Sequence, residues 1–176
     1  DVYKRQKEIE LKKETLYNCK MVQAQDGVSV ESDTLGALLY PLEGDTFALD
    51  MVIKPERYHE FGIALHVDKE LETGYFLRMN PKNQLVAWDM WPRGEQGRYQ
   101  WQIKGDVPYQ IETARKLPKA EEYRVHIIKE KDICVVYIND EIVLSTRMYN
   151  HKDGYAGIYV VQGNVKLIQY KEKRSE

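Results

Sequence analysis

All three tryptophans of this chain, Trp88, Trp91 and Trp101, fall within 14 residues, interleaved with Asp89, Arg93, Arg98 and Tyr99. That combination suits the reversible recognition of a sugar. An exposed indole stacks on the apolar C–H face of a ring, while a neighbouring carboxylate or guanidinium hydrogen-bonds the hydroxyls at its edge. Parity separates the three. Val86, Trp88 and Met90 share one apolar parity, as do Tyr99, Trp101 and Ile103, so Trp88 and Trp101 are expected in a core. Trp91 falls on the other parity with Ala87 and Asp89, and Pro92 and Arg93 follow it, where a sheet reaches its rim. Asp89, Trp91 and Arg93 are therefore the candidate carbohydrate-binding residues. The competing reading is that these aromatics only pack.

Catalytic chemistry is harder to find. Cleaving a glycosidic bond takes two carboxyl groups facing each other across it. The strand carboxylates, such as Asp50 and Asp89, alternate with apolar residues as a polar outer face requires, and no pair stands out. His59, His66, His126 and His151 are scattered singly, so no metal site is expected. A calcium ion held by loop carbonyls leaves no trace in a sequence and stays open. No nucleophile elbow, phosphate loop or zinc-protease motif occurs. The expectation is a chain with no catalytic residues, no metal site and no cofactor.

The elements that hold these residues are strands. From Leu35 onward the dominant apolar period is two. Phe47, Leu49, Met51 and Ile53 alternate with Ala48, Asp50, Val52 and Lys54; Phe61, Ile63, Leu65 and Val67 alternate with Gly62, Ala64, His66 and Asp68. Turn formers close the runs, among them Lys54-Pro55, Asn80-Pro81 and Asp153-Gly154. A spacing of ~8–12 residues between ten to twelve candidate strands predicts a sandwich or barrel. Ile133–Ile138 and Ile142–Met148 flank Asn139-Asp140-Glu141 as a hairpin, because Asn and Asp tolerate left-handed backbone. A second hairpin is expected at Gln162-Gly163-Asn164, and Lys171–Glu176 reads as a solvated tail. In Ile133–Ile138 both parities are apolar, so this strand is either covered on both sides or packs outward on another domain. Only Lys7–Met21 carries even a weak helical period.

Composition bounds the partners. The net charge of −2 lacks the concentrated basic face that nucleic acid or an anionic membrane calls for. No apolar run approaches the ~18 residues of a membrane-crossing helix. Cys19 and Cys134 are too few for a disulfide scaffold, and the compartment is left open. Thirteen tyrosines against three phenylalanines suit strands with one wet face.

Two stretches, Gly74–Arg93 (GYFLRMNPKNQLVAWDMWPR) and Asp132–Val161 (DICVVYINDEIVLSTRMYNHKDGYAGIYVV), together resemble the C-terminal β-sandwich of glycoside hydrolase family 32, the invertases, fructanases and sucrose-6-phosphate hydrolases. The sharpest match is the hairpin Val136–Arg147 followed by the Gly-rich strand Gly154–Val161. The resemblance implies an all-β, two-layer antiparallel β-sandwich, a jelly roll of the concanavalin A-like type. It further implies a non-catalytic accessory module that packs on a catalytic propeller domain of the same parent chain. The family's Trp-Met-Asn-Asp-Pro-Asn-Gly, Arg-Asp-Pro and Glu-Cys motifs do not occur, so no catalytic residue is carried over. The alternative expectation is a module that binds fructan or another polysaccharide or oligosaccharide directly. On this reading residues 1–6, which look like a translated sequencing adaptor, are a non-native scar. Residues 7–22 are a crossing from an upstream domain, with a strand at Ile9–Leu16; residues 23–172 form the sandwich, and 173–176 a tail.

Overall fold

The structure, a computed structural model, describes residues 5–91 and 109–176. Arg93, Tyr99 and Trp101 lie outside the described residues. Thirteen strands are described: β1 (Gln6–Glu8), β2 (Thr15–Tyr17), β3 (Lys20–Ala24), β4 (Gly27–Pro41), β5 (Thr46–Arg57), β6 (Glu60–Val67), β7 (Gly74–Asn80), β8 (Leu85–Trp91), β9 (Tyr109–Gln110), β10 (Tyr123–Glu130), β11 (Ile133–Ile138), β12 (Ile142–Arg147) and β13 (Tyr155–Ser175). Every pairing is antiparallel, and no α-helix occurs among the described residues. The fold is the two-layer β-sandwich that the period-two runs predict.

The two layers are stitched together by strands that pass from one to the other. The first half of β13 pairs with β6 and with the end of β4, in the layer β9-β8-β7-β6-β13-β4-β2. Its second half pairs with β5 and with the start of β4, in the layer β12-β11-β10-β5-β13-β4-β3. The change of layer occurs at a β-bulge between Val161 and Gly163, with Gln162 at φ 51°. The second hairpin expected at Gln162-Gly163-Asn164 is therefore a bulge within one long strand. The extra residue bends the strand instead of reversing it, and it inverts which parity faces inward. Ile158 and Val160 are buried before the bulge, and Val165 and Leu167 after it.

A second bulge produces another departure from simple alternation. Tyr155 pairs with Val67 but Ala156 with Leu65, leaving His66 as the extra residue, at φ 54°. His66, expected on the outer face with Gly62 and Ala64, is turned inward and meets the Phe47 ring edge-on at 5.5 Å between centroids. Val67 moves to the outer face in exchange, beside Ala64, Leu71 and Tyr159. The His66 Nδ1–H donates to the Asp153 carbonyl at 2.9 Å, while Nε2 is buried without a partner among the described residues. Burial pushes the imidazole down to about 4.

The folded-state value lies below the unfolded one, so the unfolded chain binds this proton first, and stability falls as pH drops from about 6.5 to about 4. That difference corresponds to roughly 3 kcal/mol at most. His66→Gln should flatten the acid limb of a melting-temperature profile in that window. An unchanged limb would assign the acid sensitivity to other groups.

The N-terminal segment and the tail also differ from expectation. Within Ile9–Leu16, only Thr15 and Leu16 are in a strand. Gln6–Glu8 pairs with Lys173–Ser175, and Thr15–Tyr17 pairs with Ala37–Leu39. The residues expected as a solvated tail thus end in a paired strand, with Glu172 buried and accepting from Arg174 Nε at 2.7 Å. Alternating Lys, Arg and Glu looks like a soluble terminus, but a strand with one wet face uses the same residues.

The core lies between the layers. Phe47, Leu49, Met51 and Ile53 of β5 face Phe61, Ile63 and Leu65 of β6, with Trp88 and Tyr123 among the largest fully buried side chains. Trp88 takes the core position its parity predicts. The Asn139-Asp140-Glu141 turn also forms as expected, with Asn139 and Asp140 left-handed at φ 51° and 56°.

Candidate functional site

On the outer face of the layer holding β6, β7 and β8, the sheet carries a hollow of about 260 Å³. Beneath it Gly62 pairs with Arg78 on one side and Tyr159 on the other, where a Cβ would collide with the Leu77 carbonyl oxygen and lie 2.8 Å from Tyr159 Cε1, so close packing requires glycine here. Ala64, one pair further along, lies opposite Phe76, which lies opposite Asp89. Phe76 and Tyr159 meet edge-to-face at 5.5 Å between centroids. Leu71 and Leu35 form walls. The Leu71 wall is a loop braced by Asp68, whose Oδ1 accepts from the Glu72 and Thr73 amides at 2.7 and 3.0 Å.

Three charged groups share this hollow. Arg78 Nε lies 3.5 Å from a Glu60 oxygen and 3.6 Å from an Asp89 oxygen. Burial pushes both carboxyls above their ordinary range; Arg78 opposes the rise in each, and Asp89 adds to it at Glu60. Arg78 Nε is itself buried with no hydrogen-bond partner among the described residues. One guanidinium is thus spread between two carboxylates, close enough to orient them but bonded fully to neither. The arrangement leaves a donor and several acceptor lone pairs for a polar ligand, beside the rings of Phe76, Tyr159 and Trp91.

Of the three candidate residues, Asp89 and Trp91 line this one pocket. Arg93, the third predicted residue, lies outside the described residues. Arg78 and Glu60, which the sequence does not single out, line the same pocket. Asp89, read there as part of a solvated outer face, is on that face but buried, with its side chain only 9% exposed. No group of histidine, cysteine and carboxylate side chains able to hold a metal occurs among the described residues.

Asp50 has a different setting. It pairs with His126 and lies 3.1 Å from Lys173, on the outer face of the opposite layer. Around that face Ile128, Ile133, Tyr137 and Val143 are exposed, while Cys134, Val136 and Ile138 of the same hairpin are buried. One parity of β11 faces the core, and the other is an apolar surface.

No protein-family model matches this chain, and no curated protein matches it. Solved structures do resemble it. The carbohydrate-binding module CBM66 from Bacillus subtilis superposes with a TM-score of 0.74 at 17% identity, over 92% of this chain and 95% of that one. Domain 4 of AbnA, a GH43 extracellular arabinanase from Geobacillus stearothermophilus solved in complex with arabinotriose, gives 0.52 at 11% identity, over 92% and 82%. The lumenal domain of VIP36 in its Ca2+/Man3GlcNAc-bound form gives 0.59 at 10%, over 90% and 82%. At these identities the likeness is one of fold: the chain has the β-sandwich architecture of carbohydrate-binding modules and lectins, and the family 32 sandwich is not singled out among them.

Proposed function

We propose that this chain is a non-catalytic carbohydrate-binding module, and that a sugar occupies the hollow formed by Glu60, Arg78, Asp89 and Trp91. The observation that carries the reading is the unsatisfied Arg78 Nε between the buried Asp89 and the half-buried Glu60 carboxylates, in a pocket walled by aromatic rings. Sugar hydroxyls both donate and accept, so they satisfy the guanidinium and the carboxylates together, and an indole supplies the stacking face. The volume is just under the roughly 300–1,000 Å³ of typical small-molecule sites. The fold shared with CBM66, AbnA domain 4 and VIP36 supports a sugar ligand. The family 32 resemblance of Val136–Arg147 favours a fructan over other polymers.

The test is a panel of levan, inulin, arabinan and laminarin, titrated against tryptophan fluorescence. A change with a fructan, lost in Trp91→Ala, is the expected result. Binding should also weaken on acidification, in a window above the ordinary carboxylate range of about 4, because both pocket carboxyls sit high and lose acceptor capacity once protonated. A panel with no fluorescence or calorimetric response would overturn the proposal, and a response from arabinan or laminarin alone would overturn the fructan preference.

A second reading, that the sandwich packs on a catalytic propeller of a longer parent, is favoured by the apolar outer face of β10, β11 and β12. Contiguous exposed apolar residues rimmed by charge are the ordinary anatomy of a protein contact. The two readings use opposite layers and are compatible.

A further inference from the structure

Strand β12 ends one layer, and among the described residues it pairs only with β11. An open strand edge is a template for another chain, and natural edges are commonly guarded by proline, by an inward-pointing charge or by a bulge. Ile142–Arg147 carries none of these. Its inward residues are Ile142, Leu144 and Thr146, its register with β11 is unbroken, and Val143 on its outer face is 47% exposed.

We propose that β12 is a homodimer interface, at which two copies pair edge to edge and antiparallel, so that one layer runs continuously through both molecules. The sequence selects the register. A two-fold axis perpendicular to the sheet pairs residue i with residue s − i, and partners in an antiparallel ladder lie on the same face. Side chains alternate faces, so s must be even and the axis must pass through a residue. Centring on Val143 sets Glu141 against Ser145, and centring on Ser145 sets Val143 against Arg147. Centring on Leu144 sets Glu141 against Arg147 of the other copy, twice by symmetry, and Val143 against Ser145. Of the three registers only this one joins opposite charges, and directly opposed charges stabilise a ladder where like charges disrupt it. The inward faces then meet Leu144 to Leu144 and Ile142 to Thr146, with no charge introduced.

Sedimentation equilibrium of the full chain, from micromolar to millimolar concentration, provides the test. The wild type should show reversible monomer–dimer association. Glu141→Lys and Arg147→Glu should each weaken it by about tenfold, because each turns both cross-pairs repulsive. The double variant, which exchanges the two charges, should recover the wild-type constant. Both side chains are exposed, so all three variants should melt near the wild type. A chain that stays monomeric, or a dimer indifferent to the single reversals or not restored by the double one, would overturn the proposal.

Discussion

Arg78→Ala should abolish retention of the recognised polysaccharide in affinity electrophoresis while leaving the sandwich folded. A charge-assisted hydrogen bond from this guanidinium to a sugar hydroxyl is worth about 1.5–3 kcal/mol, or roughly tenfold to a hundredfold in affinity. The loss should exceed that single bond. Without the cation, Glu60 and Asp89 lose the charge that most strongly holds their raised carboxyls down. They would take up protons nearer neutrality and lose acceptor capacity as well. The core should be indifferent, because Leu77 and Met79, which flank Arg78 in β7, are the residues that face inward. Arg78→Lys keeps the charge but not the planar fork, so it should recover part of the affinity. If Arg78→Ala bound as the wild type does, the pocket assignment would fail even with sugar binding intact.

Half of this candidate pocket is legible in the sequence, and the other half is hidden for a physical reason. Asp89 and Trp91 stand two residues apart on one strand, so parity alone puts them on one face, and tryptophan there is unusual enough to notice. Arg78 and Glu60 sit on β7 and β6, and only the strand register brings them to Asp89. Taken singly, each is a polar residue at an outward position of an alternating strand, which is the commonest thing such a residue does.

The same logic explains the fold. The strands and their inward faces followed from period two because burial repeats with the pleat. The bulges at His66 and Gln162 do not, because an inserted residue leaves no periodic mark, and each inverts the phase beyond it. Period two alone puts His66 on the wrong face for that reason, and Gln162 in a turn. Both hold positive φ without being glycine, so they lack the residue that most often announces such a conformation.

The hairpin β11–β12 offers a stability test of which face is which. Val136 is fully buried, pairs with Ile127 and Leu144, and belongs to the central core, whereas Ile133 on the same strand is 44% exposed. Val136→Asp places an unpaired carboxylate among apolar side chains and should cost several kcal/mol. For a domain of this size each kcal/mol moves the melting temperature by about 2–4 °C, so a loss on the order of 10 °C or outright unfolding is expected. Ile133→Asp introduces the same charge three residues away, on the opposite parity, and should stay within a few degrees of the wild type. Equal losses would mean that the outer parity is covered in the isolated chain. With the contrast as expected, Ile133→Asp becomes the probe for the second functional reading. It would disturb docking on a catalytic domain while leaving both the fold and the sugar pocket on the other layer intact.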